Sequence, residues 1–277
     1  MSTTSPAATS DPATAPTEDA PVLYEVVSGV ATLTLHRPHR RNAFTRAMLA
    51  AWADAIRRAA SDPEVTVLLI TGAGKGFCAG VDLEEFGSVT ETLERRAFLA
   101  DDVHEVARAL EHFEKPYIAA INGDAIGAGM DMALMADIRL IADTARLSQG
   151  YVRVGLVPGD GGAHMLPRIV GEQRALELMW TGRFVGGAEA VELGIALELY
   201  PAEDLLPAAR ELAQQLAAGP PIAVRTIKRL TRIARTQSLE AHLVHAAAEQ
   251  AVIQSTRDSA EAVTAFREKR TPVFEGR

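Results

Sequence analysis

Residues Lys115–Asp137 read KPYIAAINGDAIGAGMDMALMAD, and this stretch decides the fold class. Lys115-Pro116 stops whatever helix precedes it. Tyr117–Ile121 then runs apolar without alternation, the pattern of a strand buried on both faces. Asn122–Gly129 is a glycine-rich turn that opens a short helix running through Met135. A further apolar strand, Ile138–Ala142, follows. Strand, small-residue loop, helix and strand in immediate succession make an α/β pattern.

The same alternation extends outward. Upstream, Val22–Val27 and Val30–Leu35 are β-rich runs separated by Ser28-Gly29, a hairpin signal. Thr45 caps a helix whose Met48, Leu49, Trp52 and Ile56 share one face and which ends near Asp62-Pro63. Val65–Thr71 is another continuous apolar strand, followed by a glycine-rich loop at Gly72–Gly80. A long amphipathic helix is expected over Thr92–Phe113. Downstream, Gly161–Gly171 and Gln173–Trp180 read as helices. From Pro207 onward the patterns are all helical: Ala208–Ala217, Ile222–Arg235, Leu239–Ile253 and Ser259–Lys269. The division expected is a disordered tail over residues 1–20, a strand-containing core over 21–205 and a helical region over 206–277. Residues 1–20 hold almost nothing large to bury.

Composition narrows the function. Of 277 residues, 48% are hydrophobic and 23% charged, enough for a sizeable core. A net charge of −8 argues against an electrostatic grip on nucleic acid. No apolar run approaches membrane-spanning length. The single cysteine, Cys78, excludes an internal disulfide framework and a multi-cysteine zinc site, and the histidines show no metal-ligand spacing. The first basic residue is Arg37, so no charged leader precedes the core, and a cytoplasmic protein is expected.

Gly72–Phe77, GAGKGF, matches neither common phosphate-binding motif: Gly76 stands where a Ser or Thr should follow the lysine, and Phe77 where a dinucleotide loop needs glycine. Glycine-rich turns nevertheless recur three times, as KGFCAGVDL (Lys75–Leu83), NGDAIGAGMD (Asn122–Asp131) and GLVPGDGG (Gly155–Gly162). Glycine lets a ligand approach the backbone closely. Two such turns that converge would present main-chain N–H groups to a developing negative charge.

These pieces, with RPHRRNAF (Arg37–Phe44) and FREKRTPVF (Phe266–Phe274), stand in an order and spacing that resemble the crotonase, or enoyl-CoA hydratase/isomerase, family from about Val22 to Arg277. The resemblance implies a spiral of repeated β-β-α units, closed by a helical C-terminal region that builds trimers or hexamers. It implies a coenzyme A thioester substrate, with no other cofactor, whose oxygen is held by the N–H groups of Val81 and Ala128. By the same resemblance, Ala43, Lys75, Phe77, Ala79, Gly80, Asp82, Leu83 and Gly127 border the substrate, and Lys269 reaches the coenzyme of a neighbouring subunit.

Hydratases of the family carry two glutamates. The first position falls on Asp131, shorter by one methylene, or about 1.5 Å of reach. The second falls on Tyr151, a poor base at neutral pH because a free tyrosine has a pKa of about 10. Asp160, in PGDGG, offers another carboxylate, and some members that cleave carbon–carbon bonds in cyclic diketones have an Asp there. Each has a plainer reading: a first-turn helix acid for Asp131, a turn residue or N-cap for Asp160, a core or interface side chain for Tyr151. Cys78 reads as packing, His164 as structural. The basic stripe Arg225, Lys228, Arg229, Arg232 and Arg235 reads as a solvated face or as part of a phosphate contact. Isomerisation or another proton shift is expected over two-glutamate hydration. The alternatives are carbon–carbon hydrolysis and a catalytically silent scaffold.

Overall fold

The strands of this chain divide between two sheets. The computed structural model describes residues 20–88 and 90–277, so the expected tail lies, but for Ala20, outside the described residues. β1 (Val22–Val27) and β2 (Val30–Leu35) form the expected hairpin, with Ser28 and Gly29 both at positive φ in its turn. α1 (Arg46–Ser61) follows, its first turn capped by the Thr45 hydroxyl, which accepts from Met48 N–H. Met48, Leu49, Trp52 and Ile56 on its inner face are almost fully buried.

The repeating unit then begins. β3 (Val67–Gly72) and β4 (Gly76–Cys78) lead to α2 (Leu83–Ser88), α3 (Thr92–Ala97) and α4 (His104–Glu111). The helix expected over Thr92–Phe113 is thus interrupted by a π-helical turn at Phe98–Val103, which buries Phe98 and Val103. β5 (Tyr117–Ile121) and β6 (Asp124–Ile126) lead to α5 (Ala128–Leu134). β7 (Ile138–Ala142) and β8 (Arg146–Ser148) lead through a 3-10 turn at Gly150–Val154 to α6 (Gly162–Val170) and α7 (Glu172–Thr181). β9 (Val185–Gly186), α8 (Gly187–Glu192) and β10 (Glu198–Tyr200) complete the strand-bearing part.

In the pairs β3/β4, β5/β6 and β7/β8, the first strand joins a six-stranded sheet of order β1-β2-β3-β5-β7-β10, parallel beyond the hairpin. The second joins a four-stranded sheet of order β4-β6-β8-β9. This is the spiral of β-β-α turns. Two of the short strands of the second sheet, β4 and β6, lie within segments that read as glycine-rich loops. Three-residue strands such as Gly-Phe-Cys carry no measurable alternation. They exist because neighbouring turns of the spiral supply parallel partners, Gly76 to Asp124 and Cys78 to Ala125.

The closing helices are α9 (Leu205–Ala217), α10 (Pro221–Ile233), α11 (Leu239–Gln254) and α12 (Arg257–Glu268). α9 lies beyond the division expected at 205/206, yet it packs on β3 and β5 and buries Ala209 and Ala213 in the core. Two cations of the basic stripe on α10 turn inward rather than standing on a solvated face. Lys228 is largely covered and paired with Asp137, and it donates to the Lys115 carbonyl; Arg232 donates to the carbonyls of Glu111 and Phe113. Lys115 in turn donates to the Ala59 and Asp62 carbonyls at the end of α1. These cations satisfy main-chain carbonyls at and just beyond the ends of α1 and α4, some of which have no partner within their own helices.

Candidate active site

Two of the glycine-rich turns converge. Phe44 and Val81 form a parallel bridge: Phe44 N–H donates to the Gly80 carbonyl at 2.8 Å, and Asp82 N–H to the Phe44 carbonyl at 2.9 Å. That bridge uses the groups flanking Val81 and leaves its own N–H turned away from Phe44. Gly80 has φ +88°, and a Cβ there would stand 2.9 Å from the Ile126 carbonyl and 3.6 Å from Ala128 N. Ala128 opens α5, so its N–H has no acceptor within the helix. A Cβ at Gly129 would lie 2.0 Å from the Cys78 carbonyl, so only glycine allows this approach. The turns bearing Val81 and Ala128 therefore pack backbone to backbone.

Asp131 sits one helical turn behind Ala128. Its N–H donates to the Gly127 carbonyl at 3.0 Å, and its side chain has no exposure. Gln149 Nε2 donates to Asp131 Oδ1 at 2.6 Å. The Gly162 N–H donates to the same carboxylate. Tyr151 Oη lies 2.8 Å from Asp131 Oδ2 and 2.8 Å from Asp160 Oδ2, and its ring lies against Gly127. Burial pushes the Asp131 carboxyl up to about 6, against the pull of the Gln149 and Tyr151 hydrogen bonds, while the Asp160 charge raises it further. Asp160 is raised as well, chiefly by burial, with Tyr151 and the nearby His104 pulling the other way. Burial, then the two carboxylates, pushes Tyr151 far above its ordinary value.

The structure thus places Asp131, Tyr151 and Asp160 in one hydrogen-bonded cluster beside the converging turns. Gly161, not Asp160, is the N-cap of α6, so the capping reading of Asp160 does not describe it. Other residues singled out in the sequence fall into two groups. Gly80 and the Gly127 that precedes α5 lie at the backbone junction, whereas Ala43 is buried and Ala79 N–H donates to the Arg41 carbonyl. Phe77 is fully buried in the core, and Asp82 is occupied by Arg37 at 3.0 Å and by the Glu84 N–H. Lys75 and Leu83 are exposed. Lys269 ends α12 at φ 55°, in the C-terminal helical region rather than in the cluster. Cys78 is buried and its thiol pushed up to about 12 by burial, which leaves it inert. Among the described residues, no three His, Cys, Asp or Glu side chains come together to hold a metal ion.

Three residues of the cluster were not legible in sequence. Gln149 holds Asp131 from two positions before Tyr151, and glutamine carries no distinctive motif. His104 Nε2 lies 2.9 Å from the Gly159 carbonyl and so ties α4 to the PGDGG loop across 55 residues. Gly162 supplies both an N–H and space: a Cβ there would stand 2.2 Å from Asp131 Oδ1. Its place in PGDGG was the only signal.

Comparison with known proteins agrees with this arrangement. The sequence profile described as enoyl-CoA hydratase/isomerase matches residues 25–277. The chain is 34% identical over 248 residues to the 2,3-dehydroadipyl-CoA hydratase of Escherichia coli K12, covering 90% of this chain and 96% of that protein. It is 34% identical over 258 residues to the 1,2-epoxyphenylacetyl-CoA isomerase of the same organism, covering 92% and 98%. Among solved structures, an enoyl-CoA hydratase from Bacillus anthracis superposes with a TM-score of 0.89 at 32% identity, covering 93% of this chain and all of that one. A protein from Streptomyces coelicolor A3(2), described as a putative enoyl-CoA hydratase, does so with a TM-score of 0.88 at 36% identity, covering 97% and 98%. With both the profile and the fold matched over nearly the whole described chain, the protein belongs to the enoyl-CoA hydratase/isomerase family, the crotonases.

Proposed function

We propose that this protein is an enzyme that binds an acyl-CoA thioester, stabilises its enolate and shifts a proton along the acyl chain. The observation that carries the reading is Asp131: a wholly buried carboxylate, held by three hydrogen-bond donors, one helical turn behind Ala128. In this reading the Val81 and Ala128 N–H groups bind the thioester oxygen. Fixed backbone donors in a water-poor site stabilise developing charge without reorganising. Asp131 takes a proton from the acyl chain and returns it at another carbon. A pKa near 6 suits a base that must also act as an acid near neutral pH. The family's second hydratase position holds Tyr151, which cannot serve as a neutral-pH base, so a proton shift is favoured over two-glutamate hydration.

The substrate class follows the relatives, whose names specify dehydroadipyl-CoA and epoxyphenylacetyl-CoA, both coenzyme A thioesters. No cofactor beyond that coenzyme is required. Lys75, and Lys269 of a neighbouring copy, are assigned to its phosphates. Exposed Leu239, Leu243, Val244 and Phe266 on α11 and α12 support a trimer or hexamer. No described helix is long and apolar enough to cross a membrane, and a cytoplasmic location fits this reading. One observation favours a second reaction, carbon–carbon hydrolysis: Asp160 is a second buried carboxylate, bonded to Tyr151, that could activate water. A silent scaffold is disfavoured, since two buried acids sharing one hydroxyl cost stability and give a scaffold nothing.

The test is to assay purified protein for enoyl-CoA isomerisation, hydration and β-diketone cleavage, then to repeat with two variants. Asp131→Asn should lower turnover at least about a hundredfold with ligand affinity nearly kept. Asp160→Asn should cost less in a proton shift, and as much or more in hydrolysis. Full activity in Asp131→Asn refutes the proposal.

A further inference from the structure

We propose that Tyr151 and Asp160 form a proton wire leading from Asp131 to a cleft behind the site, and that Asp160 holds a proton in the resting protein. The inference deepens the function proposed above, because it rests on Asp131 being the base.

Hydrogen counting carries the argument. The Tyr151 hydroxyl has one hydrogen, yet a carboxylate oxygen lies 2.8 Å away on either side, Asp131 Oδ2 and Asp160 Oδ2. It can donate to only one of them. If both acids were ionised, the other contact would set a lone pair against an anionic oxygen in a buried site. One carboxyl must therefore carry a proton and donate it to Tyr151. Asp131 already accepts from Gln149 and from the Gly162 N–H, so it is the site built for the negative charge. Asp160 Oδ1 is buried with no partner, an unfavourable place for an anion. The order is fixed: Asp160 O–H donates to Tyr151 Oη, and Tyr151 O–H donates to the Asp131 carboxylate.

The wire has an outlet. Asp131 is fully buried, so a proton it takes from the substrate has no direct contact with water. Asp160, with Gly159 and Gly161, lines a cleft of about 1100 Å³ between α4, α6 and α10, where His104 and His164 also stand. The titratable groups around Asp160 are therefore Tyr151 and Asp131 on the site side, His104 of α4 and His164 of α6 on the cleft side.

The transfer balances. The acyl C–H bond breaks, its electron pair remains in the enolate, and the proton binds Asp131. The Asp160 proton leaves to water in the cleft as the carboxyl, only 5% exposed at rest, turns its buried Oδ1 outward. In a concerted shift Asp131 then gives its proton to Tyr151 Oη as Tyr151 gives its own to Asp160. One proton has entered and one has left, and Tyr151 is neutral throughout. A proton on Asp131 thus has two fates: direct return to the acyl chain at C4, or escape through the wire, after which the same shift in reverse, with Asp160 reprotonated from the cleft, supplies Asp131 with a solvent proton for C4.

Two measurements test this. The first needs no substrate: infrared spectra of the ligand-free protein at pH 7 should show a protonated-carboxyl band that is lost in Asp160→Asn. Its absence from the wild-type protein, or its persistence in Asp160→Asn, overturns the assignment. The second follows but-3-enoyl-CoA deuterated at C2 through isomerisation, and reads the fraction of label retained at C4 of the product. Wild-type protein should lose most of the label. Tyr151→Phe and Asp160→Asn should each raise the retained fraction several-fold, whatever they do to the rate. This partition does not move when a variant merely lowers the amount of folded or active enzyme. Unchanged retention in both variants overturns the wire. If wild-type protein does not isomerise the compound, the functional proposal fails there, and the infrared result decides the proton's place by itself.

Discussion

Gly162→Ala would place a methyl group 2.2 Å from Asp131 Oδ1, 2.7 Å from its Cγ and 2.8 Å from Oδ2. The backbone itself does not require glycine here, since Gly162 opens α6 and is not among the residues at positive φ. On propensity alone, alanine would stabilise the helix by up to about 1 kcal/mol. The steric argument gives the opposite sign. To restore an ordinary contact, the carboxylate must retreat by about 1 Å, and a misplacement of that size is worth about a hundredfold in rate. Retreat is blocked behind, because every residue of α5 is buried and Asp131 is tied to Gln149 and Tyr151. Overpacking of this kind costs about 1–3 kcal/mol of stability. The expected variant folds, melts lower than wild type, and loses about a hundredfold in kcat/KM, equivalent to about 2.7 kcal/mol of barrier. Thermal unfolding and steady-state kinetics on the same preparation measure both. A Gly162→Ala protein with unchanged kcat/KM and unchanged melting would show that Asp131 need not stay where it stands, and would remove the basis for calling it the base.

Two further outcomes follow from the charge and surface of the molecule. Asp131 is raised from 3.8 to about 6 in the folded protein, so between those pH values the folded state binds more protons than the unfolded one. Its contribution to stability is therefore present below about pH 4 and lost as pH rises through 6, on the order of 3 kcal/mol. Asp131→Asn should abolish that part of the slope in denaturation curves, while wild-type kcat/KM rises through about pH 6 as the base ionises; an identical stability slope in the variant would contradict the assigned burial cost. The apolar residues left open on α11, including Leu239, Leu243 and Val244, predict trimers or hexamers at micromolar concentration, and a monomer by sedimentation would refute both the assembly and the role given to Lys269.

The sequence by itself determined the α/β class, the strands β1, β2, β5 and β7 to the residue, and the order of the glycine-rich turns. These are local properties. A continuous apolar run, a capping threonine or a glycine pair acts through its immediate neighbours and leaves its mark in adjacent letters. The second sheet escaped notice because strands such as β4 and β6 are too short to show a period, and they are strands only through each other. The boundary at 205 missed the docking of α9 because a helix reads the same whether it packs on the sheet or beyond it. Likewise, the cations of α10 looked like a surface stripe, since a sequence does not show which main-chain carbonyls will stand opposite them. In the site, the acids were legible as residues and their partnership was not. Asp131, Tyr151 and Asp160 come from a helix, a 3-10 turn and a loop, and only the winding of the spiral brings one hydroxyl between two carboxylates. Tertiary structure alone decided the rest: which nitrogen holds which oxygen, which glycine must lack a side chain, and where a proton has to reside. Such facts depend on distances of about 3 Å between groups far apart in the chain.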